Sequence, residues 1–497
     1  MSSSVSSVIL QGLKPIRVKV EVASTRGVPK VVVIGLATRV VVEARQRILT
    51  ALKNNNIKLK SCRTIINLTP PDVPKKQAYL DLAMMAGLLN SYGLTDFDEQ
   101  DAFIGELGLD GSVRAVSGCL GLALAIKELG LRRVFVPHDN FVNLKVINNF
   151  RLVPIKHLNE LFKKRHRSFY TQAGQYGVQP PQSTVLLEDL VCSERLKRVV
   201  QIVAAGRHHL LMTGPPGSGK TLIAQALGSI LPPLAYQESL TVSQIYSLFS
   251  GQDKLITRPV LRQPHHTISL TGLIGGGSQL NLGEITLAHR GILFLDEINL
   301  FKTEVIEALR QPLEAGKINL NRMGQEIEYP ASFTLVAAQN PCPCGYYGTE
   351  IKPCGCTPWK RQRYQQKLSG AIKDRIDLFV NIPMIKTDNL LAPSSTAKKV
   401  EAIKDKIIAA RKIQTQRYER MTVKFNGRLI TKQIKKYIHL NYACQQLLSM
   451  ASDKLKLSNR AVFKVIKIAR TIADLDQQQA VSPENITEAL SYRQRGL

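Results

Sequence analysis

Gly214-Pro215-Pro216-Gly217-Ser218-Gly219-Lys220-Thr221 decides how this chain of 497 residues is read. The stretch follows an apolar run, Leu210-Leu211-Met212-Thr213, and opens a run of good helix formers, Leu222-Ile223-Ala224-Gln225-Ala226-Leu227. Strand, glycine-rich loop and helix, with Lys-Thr at the helix start, form a phosphate cradle. The glycines let successive backbone N–H groups face one point, and the helix N-terminus adds its partial positive charge. The pattern therefore calls for ATP and Mg²⁺: Lys220 reaches the β- and γ-phosphates and the Thr221 hydroxyl sits on the metal. An ATPase is the expectation.

Two more stretches belong with that loop. Ile292-Leu293-Phe294-Leu295-Asp296-Glu297 has the character of a buried parallel strand and ends in two carboxylates. Asp296 suits the Mg²⁺ shell and Glu297 the polarising of an attacking water. Thr334-Leu335-Val336-Ala337-Ala338-Gln339-Asn340 is a second buried strand, with an amide at the carboxyl end, where open α/β sheets bind ligands. Asn340 has two readings: it orients the γ-phosphate or the water, or it starts the turn before Pro341. Arg375, in Asp374-Arg375-Ile376-Asp377-Leu378, reads either as an arginine offered to a neighbouring subunit's nucleotide or as the partner of a nearby Asp. Arg460 falls in the first turn of a helix that Ser458 would cap, where a lid arginine can touch nucleotide.

Between these strands, Lys317-Ile318-Asn319-Leu320-Asn321-Arg322-Met323-Gly324-Gln325-Glu326-Ile327-Glu328-Tyr329 alternates on both sides of Met323-Gly324 and predicts a β-hairpin. The adjacent His265 and His266 would point to different sides of a strand without further ligands, so a glycine-hinged loop is preferred there to a metal site. Cys342, Cys344, Cys354 and Cys356 fall within fifteen positions and can offer four thiolates to Zn²⁺; the other reading is a compact thiol-lined loop without metal. Cys62, Cys119, Cys192 and Cys444 are scattered in apolar contexts and read as buried thiols.

A hydrophobic share of 44% and a charged share of 21% describe an ordinary globular chain, but a net charge of +29 does not. A polyanionic partner, nucleic acid first, competes with a general basic bias of the source proteome. Residues 398–497 hold 21 Lys/Arg against 8 Asp/Glu, close to half of the excess. No secretory signal opens the chain and no apolar run approaches the ~20 residues that cross a bilayer, so a cytoplasmic protein without membrane partners is expected.

The amino-terminal part alternates strands and helices: strands at 18–22, 31–34, 64–68, 103–107, 113–116 and 134–136, and helices at 39–52, 80–89 and 120–129. A polar, basic stretch ending in Pro180-Pro181 reads as a linker, and a helix over 186–205 opens the nucleotide domain. After Pro383 the chain turns helical, with one charged helix expected over 399–420.

Taken together, the chain resembles the magnesium-chelatase-like AAA+ ATPases, and within them the bacterial ComM/YifB family. The resemblance rests on residues 214–221, Pro264-His265-His266-Thr267-Ile268-Ser269, residues 283–291, 293–297 and 309–314, Asn340-Pro341-Cys342-Pro343-Cys344-Gly345, residues 374–378 and 469–475. It implies an α/β architecture in four parts: a Lon-protease-like α+β domain at 1–165, a linker at 166–184, an AAA+ P-loop domain with a parallel sheet at 185–390, and a helical lid at 391–497. It implies the roles Walker A for Lys220 and Thr221, Walker B for Asp296 and Glu297, sensor 1 for Asn340, finger for Arg375 and sensor 2 for Arg460. Residues 245–289 match the helix-2 insertion, and the hairpin matches the one inserted before sensor 1. A homo-hexameric ring follows, with nucleotide between subunits, single-stranded and branched DNA as partners, a recombinase as a further partner, and branch migration during natural transformation as the task. The amino-terminal domain would be non-proteolytic, since residues 69–90 hold no Ser and Leu120 stands at the lysine position. An ATP-driven protein remodeller or metal-chelatase-like ATPase is the alternative.

Overall fold

The computed structural model describes residues 2–35, 39–58, 60–75, 77–162, 168–171, 187, 193–277, 281–322, 325–350, 352–384 and 397–493. The hairpin turn at 323–324 lies outside these residues, as does the expected linker apart from 168–171. The chain forms two compact units. The first comprises Met1–Gly177, Tyr236–Ile256 and Asn321–Glu328; the second comprises Val178–Ala235, Thr257–Leu320 and Tyr329–Leu497.

The first unit is built on an eight-stranded sheet. Its strands are β1 (Ser2–Gln11), β2 (Lys14–Thr25), β3 (Lys30–Ile34), β4 (Arg63–Thr69), β5 (Asp101–Phe103), β6 (Arg133–Pro137), β7 (Arg151–Ile155) and β8 (Phe169–Tyr170), in the spatial order β8-β7-β6-β5-β1-β2-β4-β3. The first strand has no counterpart among the predicted ones, yet it pairs with β2 along its whole length, from Ser2 opposite Ala23 to Gln11 opposite Lys14. The strand expected over 103–107 ends at Phe103, and a separate two-residue strand, Glu106–Leu107, follows. Helices α1 (Arg39–Asn54), α2 (Asp81–Ser91) and α3 (Cys119–Glu128) match the predicted periods. Buried α2 lies against β1 and β2 at Gly87, where an added Cβ would come within 2.9 Å of the Val22 side chain.

The Tyr236–Ser250 helix belongs to this unit although it lies within the span read as the nucleotide domain. A buried carboxylate explains the attachment. Asp253 accepts hydrogen bonds from the backbone N–H groups of Cys119 (3.2 Å) and Leu120 (3.0 Å), from the Asn140 amide (3.2 Å) and from the Ser247 hydroxyl (2.8 Å). The first two are donors that the start of α3 leaves without intrahelical partners, so Asp253 caps that helix from 133 positions away. Leu120 itself is buried in the apolar core.

The second unit carries a five-stranded sheet, β9 (Leu210–Thr213), β10 (Leu261–Arg262), β11 (Ile292–Leu295), β12 (Thr334–Gln339) and β13 (Leu378–Asn381), in the order β10-β11-β12-β9-β13. Every neighbouring pair is parallel. Such a sheet is covered on both faces, so its strands read as continuous apolar runs. Leu210, Met212, Phe294, Val336 and Ala338 pack into one core, while the alternate residues Leu211, Leu293, Leu295, Leu335 and Ala337 pack into another. Helix α4 (Glu194–Gly206) starts behind the cap of Ser193 rather than at 186, and α5 (Lys220–Ile230) follows the glycine-rich loop. Later come α6 (Pro358–Gln366), α7 (Ala397–Arg417), α8 (Asn459–Leu475) and α9 (Pro483–Ser491). The expected charged helix is thus present, ending three residues earlier than read, and Ser458 caps α8 by accepting from the Ala461 N–H. Among the described residues no helix is long and apolar enough to cross a membrane.

Candidate active site

Because the five strands run in one direction, their carboxyl ends share an edge. The loop after β9, the carboxylates after β11 and the amide after β12 therefore meet there. Residues 216–222, Asp296, Glu297 and Asn340 line one cavity of about 380 Å³. Gly217 and Gly219 take φ of 74° and 81°, the left-handed region that a side chain resists, so the turn around the phosphate position needs glycine.

The side chains in this cavity are tied to one another. The Lys220 ammonium donates to the carbonyl oxygens of Gly214 (2.9 Å) and Pro215 (2.8 Å) and to the Asn340 side-chain oxygen (3.2 Å). Burial pushes the Lys220 pKa down, against the opposing pull of Asp296 and Glu297. The Thr221 hydroxyl donates to Asp296 (2.7 Å), and the other oxygen of that carboxylate accepts the Glu297 N–H (2.9 Å). Glu297 holds φ at 47°, unusual for a residue with a side chain. A hydroxyl and a carboxylate oxygen in contact at the cavity wall are the donor set that Mg²⁺ prefers when it also binds phosphate.

Arg375 and Arg460 lie elsewhere. Arg375 precedes β13, so it falls at the amino-terminal edge of the sheet, about 13 Å of strand from the phosphate loop. Its guanidinium meets Glu314 (2.6 Å) and the Ala371 carbonyl (2.8 Å); the carboxylate partner is thus Glu314, where the sequence suggested a nearby Asp. Arg460 approaches the same Glu314 (3.7 Å) from the first turn of α8. Both arginines line a second cavity, of about 570 Å³, with Arg290, Arg428 and Lys424 among its other walls. Glu314 sits inside one of the matched stretches, but nothing in its spacing gave away its two partners.

Asp377 was also missed. It is fully buried, accepts the His209 N–H (3.0 Å) and the Lys464 ammonium (2.7 Å), and so ties α8 to the start of β9. Burial alone would raise its pKa, but Lys464, Lys467 and His208 hold it well below the usual carboxylate range. A depressed carboxylate stabilises the fold above its unfolded value and loses that contribution as pH falls through the folded one. Asp377→Asn is therefore expected to cost about 3 kcal/mol at pH 7 and to flatten the loss of stability below about pH 4. Denaturant melts across that range check it, and an unchanged midpoint at pH 7 would remove Asp377 from the account.

The four cysteines converge. Their sulfurs lie within 4.8 Å of one another, with Cys342–Cys344 at 3.3 Å, Cys342–Cys354 at 3.7 Å and Cys344–Cys354 at 3.6 Å. Thiolates at the corners of a tetrahedron around Zn²⁺ stand about 3.8 Å apart, so the arrangement fits a metal. The Tyr347 N–H donates to the Cys342 sulfur (3.4 Å), as outer hydrogen bonds to metal thiolates do. The rings of the two histidines lie 4.1 Å apart, and the His265 ring shares a hydrogen bond with the Thr267 hydroxyl (2.9 Å).

Residues 186–390 match the family described as magnesium chelatase, subunit ChlI; residues 20–140 match subunit ChlI of Mg-chelatase, and residues 397–493 match its C-terminal family. The chain is 36% identical to the uncharacterized protein YifB of Salmonella typhimurium, over 96% of this chain and 94% of that one. It is 33% identical to the competence protein ComM of Haemophilus influenzae, over 97% and 95% of the two chains. It belongs to the ComM/YifB family of magnesium-chelatase-like AAA+ ATPases. The likeness to the magnesium-chelatase 38 kDa subunit of Rhodobacter capsulatus is narrower, 25% identity over 30% of this chain and 47% of that one. The ComM and YifB matches therefore take in nearly the whole chain, whereas the match to the 38 kDa chelatase subunit takes in a part.

Proposed function

We propose that this ComM/YifB-family chain hydrolyses ATP as a homo-hexameric ring and uses the energy to move along single-stranded and branched DNA, driving branch migration as transforming DNA is integrated. The observation that carries the motor reading is the division of the site between two edges of one sheet. Lys220, Thr221, Asp296, Glu297 and Asn340 stand at the carboxyl edge, while Arg375 and Arg460 stand together at the other. A site so divided is incomplete in one subunit, which supports nucleotide held between subunits. With ATP and Mg²⁺ bound, the loop N–H groups and Lys220 would hold the phosphates, and Thr221 and Asp296 the metal. Glu297 would take the proton of the attacking water while Asn340 orients it. The neighbour's Arg375 would neutralise charge developing on the γ-phosphate, with Arg460 beside it. The excess of positive charge supports DNA as the track.

The deciding assay is ATP hydrolysis with and without a three- or four-way DNA junction, scored in parallel for strand exchange. Junction-stimulated turnover with branch movement, abolished by Glu297→Gln, is the expected result. Turnover indifferent to every form of DNA would favour protein remodelling or a chelatase-like task. A recombinase is the protein partner expected alongside DNA.

The cysteine cluster is read as a structural Zn²⁺ site held by Cys342, Cys344, Cys354 and Cys356. The metal would close residues 342–356 into one rigid piece. Fully reduced protein is expected to carry one zinc per chain by elemental analysis; a stoichiometry near zero would return the cluster to a plain thiol-lined loop.

A further inference from the structure

Helix α6 is held in place without being buried. None of its nine residues is buried, and a helix this short is marginal in water by itself. Its construction is nonetheless deliberate. Thr357 caps it by accepting from the Lys360 N–H (3.4 Å), Pro358 occupies the first turn, and Cys356 of the four-thiol group stands one residue before the cap. At its far end, Gln365 donates to the Pro341 carbonyl (3.4 Å), next to Asn340, and accepts at its own carbonyl from Lys373 (3.1 Å).

What this scaffold presents is basic and aromatic. Residues 351–373 contain six Lys/Arg and no Asp/Glu. Elsewhere in the same unit arginines are neutralised, as Arg198 is by Asp476 and Glu488, Arg262 by Glu284 and Arg417 by Asp474. Among the described residues Lys360, Arg361, Arg363 and Lys367 have no carboxylate partner. Trp359, the chain's one tryptophan, is 64% exposed. The Arg363 guanidinium lies 5.3 Å from its ring, and Arg361 lies 4.1 Å over the ring of Tyr347. A charge run is ordinarily a solvated face, and the Arg363–indole contact gains the fold only a little at an exposed site, which does not call for a large indole left in water. Aromatic faces for bases, flanked by cations for phosphates, are the chemistry that takes single-stranded nucleic acid. A duplex keeps its base faces stacked and offers phosphates and groove edges but no free face for an indole.

We propose that α6, held by the four-cysteine group, is a contact surface for single-stranded nucleic acid, with Trp359 stacking on a base and Lys360, Arg363 and Lys367 meeting the flanking phosphates. The inference rests on the DNA-motor reading and adds to it a surface distinct from both arginine-lined and phosphate-loop cavities.

Because Trp359 is the one tryptophan, its emission reports on α6 alone. The full-length protein would be titrated with labelled oligo(dT) at low salt, following tryptophan emission and label anisotropy in the same samples. Saturable quenching with the anisotropy midpoint is expected, and Lys360→Glu/Arg363→Glu is expected to weaken binding about tenfold or more. That variant should also lower the slope of log affinity against log salt by about 1.4, the share of two phosphates on a single strand. Thermal melting of the variant separates loss of contact from loss of fold. Binding with unchanged emission and an unaffected variant would overturn the surface while sparing the motor reading. Failure to bind any oligonucleotide would remove both. Equal quenching by duplex or by poly-glutamate would also overturn it, in favour of a general polyanion or acidic protein partner.

Discussion

Arg375→Ala is expected to lower ATP turnover of the assembled protein about a thousandfold or more, while each subunit still binds nucleotide. An arginine delivered to the γ-phosphate in the transition state contributes on the order of 10³–10⁵ in rate, and little of that is felt by the bound ground state. In the proposed ring Arg375 is the arginine that the neighbour would deliver. It stands at the amino-terminal edge of the sheet, away from its own phosphate loop, and Glu314 (2.6 Å) with the Ala371 carbonyl (2.8 Å) fixes its guanidinium. Mixing Arg375→Ala with Lys220→Ala subunits gives the sharper measurement. Each variant alone is expected to keep only a small residual turnover, but a mixed interface that joins an intact phosphate loop to an intact arginine should recover part of the activity. No recovery in mixed assemblies of confirmed composition would mean that Arg375 only braces Glu314.

Lys220→Ala is expected to reduce turnover to about a hundredth or less and to weaken nucleotide binding with it. The Lys220 ammonium is buried and holds the Asn340 oxygen and two loop carbonyls, so its loss takes away the positive charge and also the brace of the loop. Preorganised charge in a water-poor site is worth about 10²–10³ in rate when one donor is removed. Melting should change little, since the partners Lys220 gives up are loop carbonyls rather than core groups. Full turnover by a folded Lys220→Ala protein would overturn the site assignment.

Much of the second unit was legible because local signals agreed with global ones. Apolar runs at 210–213, 292–295 and 334–338 had to be parallel strands, and parallel strands bring their carboxyl ends together. The amino-terminal strand was not legible. Ser6 and Ser7 point polar groups at the carbonyls of Glu99 (2.6 Å) and Phe103 (2.8 Å) from buried positions, so hydroxyls occupy places where periodicity looks for apolar side chains. Asp253 and Asp377 were invisible for another reason: each accepts a backbone N–H from more than a hundred positions away, and a single carboxylate carries no spacing. The position of Arg460 depends on how α8 packs, which no motif encodes. Helix α6 gave no sequence signal, because it lacks the apolar stripe that usually announces a helix.

The chain passes from one unit to the other more than once. It leaves the second unit after Ala235, contributes Tyr236–Ile256 to the first, and re-enters at Thr257, where the Leu234 N–H bonds the Thr257 carbonyl (2.8 Å) and holds the two ends of that excursion together. The severed pieces of such a thread are expected to stay assembled. A single backbone cut after Gly177 would give two bands on a denaturing gel, yet the smaller piece would keep its grip on the Tyr236–Ser250 helix of the larger through Asp253 and travel with it on a native column. The amino-terminal unit is therefore not an appendage that proteolysis can shed, and a truncation beginning at residue 178 would leave that helix without the partner it packs against.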